Sequence, residues 1–175
     1  MNIKKYDKIY LTGFMGSGKS FLAQNLAKKT GWQAKDLDQI IEEGQNLPIS
    51  AIFQLHGEAI FRKLEQKALH NTLHASRSIF ALGGGTTCFF DNMDWIKKHG
   101  ICIFLNPSVA TLVERLSQAS ELKKRPLLQQ LNSDELELYI SNKLEERMVY
   151  YKQANYTIIS SKLEEIIKEI EHLFY

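Results

Sequence analysis

Eight consecutive residues, Gly13-Phe14-Met15-Gly16-Ser17-Gly18-Lys19-Ser20, constrain this chain more than any other stretch. They follow a strand-like run, Lys8-Ile9-Tyr10-Leu11-Thr12, and lead directly into a helical pattern that starts at Lys19. A strand, a glycine-rich loop ending in Gly-Lys-Ser and a helix, in that order, is the context in which such a loop cradles phosphate. Glycines let successive backbone N–H groups turn inward around phosphate oxygens, and the helix amino terminus adds partial positive charge. Lys19 is then placed to reach the β- and γ-phosphates of a nucleotide, and Ser20 to offer its hydroxyl to Mg²⁺. The competing structural reading is a tight glycine turn beside a solvated lysine.

The rest of the chain alternates short β-branched runs with longer helical patterns, which predicts βαβ units and a parallel sheet. Five strands are expected, at Lys8 to Leu11, Gln33 to Lys35, Ser78 to Leu82, Ile101 to Leu105 and Tyr156 to Ile159. Helices are expected to begin at Lys19, near Asp38, and at Ser50, Glu58, Asn92, Ser108, Ser133 and Lys162. Gly31 and Gly100 stand where carboxyl-terminal caps belong, and Ser133 reads as an N-cap before acidic Asp134 and Glu135. With 175 residues, 44% of them hydrophobic, and no repeat or linker, one α/β domain spanning residues 1–175 accounts for the chain. Between Ala119 and Asn132 the apolar periodicity fades while Lys123, Lys124, Arg125 and Pro126 crowd together, so this segment is the lid candidate.

A formal charge of +2 carries no signature of a nucleic-acid partner. No run approaches the roughly 20 apolar residues of a membrane span, and the first residues lack a signal-peptide pattern, so a cytoplasmic protein without a membrane partner is expected. Cys88 and Cys102 fit no metal-ligand or redox spacing and read as inert thiols. His70 and His74, four apart, read as a solvated face; Trp32, Trp95, Phe89 and Phe90 read as packing residues.

Several polar residues stand where chemistry is expected. Asp36 and Asp38 close the second strand, and the carboxyl ends of strands are where open α/β sheets bind ligands. Asp36 can help hold Mg²⁺ through water and Asp38 can accept a hydroxyl proton. A helix cap at Asp38 with a solvated Asp36 is the alternative. Gly83, Gly84 and Gly85 follow the third strand and allow close approach to a ligand, or form only a flexible turn. From Glu58 onward, Ile60, Phe61, Leu64 and Ala68 predict a core-facing stripe, with Arg62 able to pair with Glu58 and Glu65 on the surface. Arg147 is unlike these, because it falls at helical spacing with Leu136, Ile140, Leu144 and Tyr151. A guanidinium on an apolar face requires an anionic partner, either a protein carboxylate or a ligand.

Taken together, GFMGSGKS from Gly13, DLD from Asp36, IFQLHGEAIFRKLE from Ile52, GGG from Gly83, RPLL from Arg125 and the arginine of KLEERMVYYKQAN make the chain resemble the shikimate kinases over nearly its full length. The resemblance implies a P-loop kinase fold, with a five-stranded parallel sheet of order 2-3-1-4-5, helices on both faces, a substrate-binding helical region about 38–66 and a lid about 119–132. It implies transfer of the γ-phosphate of ATP to the 3-hydroxyl of shikimate, giving ADP and shikimate 3-phosphate in chorismate and aromatic amino-acid biosynthesis, by a monomer.

The resemblance assigns ATP to Gly13, Met15, Gly16, Ser17, Gly18, Lys19, Ser20, Phe21 and Arg125, and Mg²⁺ to Ser20 and Asp36. It assigns shikimate to Asp38, Arg62, Gly83, Gly84, Gly85 and Arg147, with Glu65 orienting Arg62 and with Lys19, Asp38 and Arg125 catalytic. The chain departs from the pattern where Phe21 replaces a small hydroxyl residue. It departs again at Gln118, where many relatives carry an arginine against adenine; the nearest arginine here is Arg115. A gluconate-type kinase and a nucleotide-binding regulator without transferase activity are the competing readings, and an acceptor screen separates them.

Overall fold

In the computed structural model, which describes residues 7–118, 128–160 and 162–171, five parallel strands form one sheet in the order β2-β3-β1-β4-β5. These are β1 (Lys8–Thr12), β2 (Gln33–Asp36), β3 (Ser78–Ala81), β4 (Ile101–Leu105) and β5 (Tyr156–Ile158). The order and direction are those expected. The central strands β1, β3 and β4 are buried along their whole length, as a parallel sheet covered on both faces requires. Their alternate side chains feed two separate cores.

On one face Ile9, Leu11, Ile79, Ile101 and Ile103 pack against Leu22 and Leu26 of α1 (Lys19–Thr30), and against Ile166 and Ile170 of the last helix, Leu163–Ile170. On the other, Tyr10, Phe80 and Cys102 meet α2 (Leu37–Gln45), α3 (Ile49–Asn71) and α4 (Asn92–His99). A third cluster joins Phe14 and Phe104 to Leu112 and Leu116 of α5 (Val109–Leu116) and to Leu136, Ile140, Leu144 and Tyr151 of α6 (Ser133–Tyr151). The last helix is therefore α7. The third cluster fixes α5 and α6 beside the loop that leaves β1, so Arg147 of α6 is carried to the phosphate-binding end of the sheet.

Local differences from the sequence reading have physical causes. Residues 49–71 form two helical runs joined at Gly57, whose φ of 74° breaks the helix where a second start was expected. The buried side of the second run is Phe61, Arg62, Glu65, Ala68 and Leu69, while Ile60 is exposed. Arg62 thus lies within the fold instead of on its surface. The cap of α6 is Asn132, not Ser133: Asn132 Oδ1 accepts from Glu135 N at 3.0 Å, and Glu135 Oε2 accepts from Asn132 N at 2.9 Å. Gly31 caps α1 in the left-handed conformation, whereas Gly100 ends α4 in an extended one. His70 is half-buried and stacked on Trp95 at 5.0 Å, so only His74 is solvated. Cys102 is fully buried, which pushes its thiol up to about 12.

Candidate active site

The loop between β1 and α1 turns through Gly16 and Gly18 at φ of 78° and 97°, a region open to glycine at low cost. Lys19 follows at the first position of α1, and its Nζ donates to Gly13 O and Phe14 O, both at 2.9 Å. Its ammonium is thereby held over the loop. Ser20 Oγ donates to Asp36 Oδ2 at 2.6 Å, which brings two hard oxygen donors together beside the loop. The donor set fits Mg²⁺, an ion that takes one or two protein oxygens and completes its shell with phosphate and water.

Asp36 closes β2, but Asp38 does not belong to the strand. Helix α2 begins at Leu37, and Asp36 is its N-cap, with Oδ1 accepting from Asp38 N at 3.0 Å. The cap is Asp36, not Asp38, so the Asp38 side chain is directed elsewhere. Burial, reinforced by the Asp36 and Glu65 carboxylates and opposed by Lys19, lifts Asp38 from an ordinary 3.8 to about 6. Its affinity for a proton is thus nearer neutrality than that of a solvated aspartate.

Two cavities meet at Asp38. One, of about 640 Å³, is lined by the loop residues Gly16, Gly18, Lys19 and Ser20 together with Asp36. The other, of about 600 Å³, is lined by Arg62, Glu65, Gly85 and Arg147, with Phe53 and Tyr139 on its apolar side. Met15, Asp38, Gly83 and Gly84 line both.

In the second cavity Arg62 is held rigidly. Its Nη1 donates to Glu65 Oε2 at 2.7 Å and its Nη2 to Glu58 Oε1 at 2.9 Å, while its guanidinium lies 4.1 Å from the ring centre of Phe89. Glu65 is only 1% exposed and accepts a second bond, 2.6 Å, from Thr86 Oγ1. The glycines make this packing possible. A Cβ on Gly83 would stand 2.8 Å from Glu65 Oε1, and one on Gly85 would stand 2.9 Å from Arg62 Nη1.

Arg147 is half-buried and donates to Gly84 O at 3.3 Å, a carbonyl that also accepts from the Tyr151 hydroxyl. Among the described residues no carboxylate forms an ion pair with it. The cavity therefore presents two guanidiniums, one neutralised by Glu58 and Glu65 and one that donates to the Gly84 carbonyl and lies 5.6 Å from the ring centre of Phe14.

The family model for shikimate kinase matches residues 15–174, nearly the whole chain. The chain belongs to the shikimate kinase family. A shikimate kinase of Bacteroides fragilis is 39% identical over 158 residues, covering 90% of this chain and 87% of its own. One of Flavobacterium psychrophilum is 38% identical over 172 residues, covering 96% and 99%. Among solved structures, the shikimate kinase of Bacteroides thetaiotaomicron matches with a TM-score of 0.89 at 35% identity, covering 95% of this chain and 97% of that one. A shikimate kinase of Acinetobacter baumannii in complex with shikimate matches with a TM-score of 0.85 at 29% identity, covering 98% and 94%. As a shikimate kinase family member, the chain has the P-loop kinase fold and is an ATP-dependent phosphotransferase with ATP as co-substrate.

Of the residues that the resemblance to shikimate kinases singles out, Met15, Gly16, Gly18, Lys19, Ser20, Phe21, Asp36, Asp38, Arg62, Gly83, Gly84, Gly85 and Arg147 line the two joined cavities, while Gly13 and Ser17 lie in the same loop and contact Lys19 Nζ. Arg125 and residues 119–127 of the expected lid lie outside the described residues. Arg115 reaches back to the loop, its Nη1 donating to Gly16 O at 3.1 Å. Sequence reading missed Thr86, which fixes Glu65, and took Phe89 only as packing, although it carries the guanidinium of Arg62. Thr86 directly follows the glycine run, and that adjacency was the available signal.

Proposed function

We infer that this site moves the γ-phosphate of ATP to the 3-hydroxyl of shikimate, releasing ADP and shikimate 3-phosphate. The observation that carries the reading is the position of Asp38 on the wall between a phosphate-loop cavity and a cavity with two guanidiniums. Phosphoryl transfer needs the acceptor oxygen in line with the γ-phosphate, and a shared wall is where the two substrates meet.

The geometry and the family resemblance support a role for each residue. The loop amides from Gly13 to Ser20, with Met15 and Phe21 at the edge, receive the ATP phosphates, and Lys19 exchanges its loop carbonyls for phosphate oxygens. Ser20 and Asp36 hold Mg²⁺, which when bound neutralises charge on the phosphates. Arg62 and Arg147 take the shikimate carboxylate, a recognition that suits planar guanidiniums. Gly83 to Gly85 border the ring and leave room for it. Asp38 accepts the hydroxyl proton as the oxygen attacks, and its raised proton affinity suits that task. Arg125 is assigned to the transferring phosphate on the strength of the resemblance.

In this reading residues 1–175 act as one domain, with the acceptor region at 38–66 and the lid at 119–132. The reading requires no second copy of the chain, so a monomer is its simplest form, and ATP as donor suits a cytoplasmic enzyme. Among the described residues no helix is long and apolar enough to cross a membrane. The test is a coupled assay of ADP release with Mg-ATP and a panel of acceptors, with phosphorus NMR on the product. ADP release dependent on shikimate and a phosphate on the 3-hydroxyl are expected. Folded protein that ignores shikimate, or prefers gluconate, would overturn the assignment.

A further inference from the structure

Arg62 meets two carboxylates, yet its donors are not exhausted. Glu58 Oε1 accepts from Nε at 3.2 Å and from Nη2 at 2.9 Å, and Glu65 Oε2 accepts from Nη1 at 2.7 Å. A guanidinium carries five N–H groups, so one on each terminal nitrogen remains for a ligand. With its charge matched by Glu58 and Glu65, Arg62 attracts an anion through the direction of those two groups more than through net charge. Direction is set by what packs on the guanidinium. Its Cζ stands 4.1 Å from the ring centre of Phe89, closer than the 5.1 Å to that of Phe61, and a Cβ on Gly85 would stand 2.9 Å from both Nη1 and Nη2. Arg62 lines the acceptor cavity and Phe89 does not, so this ring acts on a bound acceptor only through Arg62.

The segment that carries Phe89 is fastened on several sides. Thr86 Oγ1 donates to Glu65 Oε1 at 2.6 Å, and Thr87 Oγ1 lies 3.1 Å from Thr12 Oγ1 of β1 in a hydrogen bond. The fully buried Asn92, at the start of α4, donates from Nδ2 to Thr86 O at 2.8 Å. Between Phe89 and α4, Phe90 takes a φ of 53°, a left-handed backbone that costs a bulky residue, although its own ring is 57% exposed. Such strain persists where the surrounding structure imposes it. We propose that Phe89 is a positioning residue for the acceptor carboxylate: its ring face holds the Arg62 guanidinium in the plane in which the two remaining N–H groups meet that carboxylate. The proposal rests on the kinase reading above and deepens it at the acceptor end. Cation–π attraction needs a ring and not merely an apolar side chain, so leucine here keeps most of the bulk and loses the contact.

The test separates the ring from its bulk. Steady-state kinetics with both substrates are measured on the wild type, Phe89→Leu, Phe89→Met and Phe89→Tyr. Because Arg62 is buried, losing the ring is expected to raise KM for shikimate by roughly 5- to 30-fold in Phe89→Leu, while kcat and KM for ATP stay nearly unchanged. Phe89→Met, which also lacks a ring, should behave alike and supplies the measurement if Phe89→Leu melts early. Phe89→Tyr keeps the ring face and should restore KM for shikimate to the wild-type value. A KM for shikimate that moves less than about twofold on loss of the ring would overturn the proposal. So would failure of Phe89→Tyr to restore it, or an equal rise in KM for ATP, which marks a site distorted as a whole. Absence of shikimate-dependent ADP release in the folded wild type overturns the kinase reading itself, whereas normal wild-type turnover with an unmoved KM in the ringless variants overturns only the role of Phe89.

Discussion

Asp38 carries the sharpest conflict between stability and function among the described residues. Its partly buried carboxylate faces Asp36 and Glu65, and its raised value of about 6 means that the folded protein holds the proton more tightly than the unfolded chain does. For an acid shifted upward, folding is favoured at low pH, and that advantage is lost as pH rises from about 4 to 6. Above that window the ionised side chain costs about 1–3 kcal/mol in protein without metal or nucleotide. Asp38→Asn carries no charge there. The variant should melt about 2–10 °C higher than the wild type at pH 7.5, and the difference should vanish below pH 4. Its kcat should nevertheless fall by about 10²–10⁴, with ADP affinity nearly unchanged, because only the hydroxyl proton has lost its acceptor. Wild-type turnover by Asp38→Asn would remove Asp38 from the chemistry. At this scale the pair Asp36 and Asp38 was legible as acidic residues at a strand end, but not their division of labour. That division depends on α2 starting at Leu37, one residue earlier than the periodicity indicates, which makes Asp36 the cap.

Among elements, α3 and α6 show how far a hydrophobic pattern can be trusted. The stripe predicted for α3 was displaced by one position at Ile60, because Arg62 and Glu65 bury themselves as a mutually neutralising pair held by Thr86. Ion pairing between neighbours looks the same in sequence whether it faces water or a cavity. On α6 the pattern was more informative, since a lone guanidinium within Leu136, Ile140, Leu144 and Tyr151 could be seen to need an anion. It donates to Gly84 O, a carbonyl that keeps the Tyr151 hydroxyl as a donor if Arg147 is replaced, and it lies over the Phe14 ring, which an apolar side chain can also meet. Arg147→Met should therefore leave the melting temperature unchanged or slightly raised, since no buried carboxylate is abandoned. Charge-assisted bonds to a substrate carboxylate contribute roughly 1.5–3 kcal/mol, so kcat/KM for shikimate should fall about 10- to 150-fold. A large drop in melting temperature with near-normal kcat/KM would identify Arg147 as structural.

For the whole molecule, strand order was available only through the resemblance, because periodicity gives the number of strands and their burial but not which are neighbours. The phosphate loop was readable from its own residues, since its glycines and lysine act locally. The joining of two cavities at Met15, Asp38, Gly83 and Gly84 was not, because it depends on how β1, β2 and β3 end side by side. That architecture has a thermodynamic consequence. A ligand that binds only the folded state stabilises it by about 2.7 kcal/mol at 100 times its dissociation constant. For a domain of this size that corresponds to a melting shift of about 5–11 °C. Mg-ADP and shikimate occupy different cavities in this reading, and ADP lacks the γ-phosphate that would reach across the shared wall. Each alone should therefore raise the melting temperature by an amount of that order, and both together by at least the sum. Thermal scans at fixed multiples of each dissociation constant measure this directly. If the second ligand adds nothing once the first is saturating, the two compete for one space, and the division into donor and acceptor cavities on either side of Asp38 is wrong.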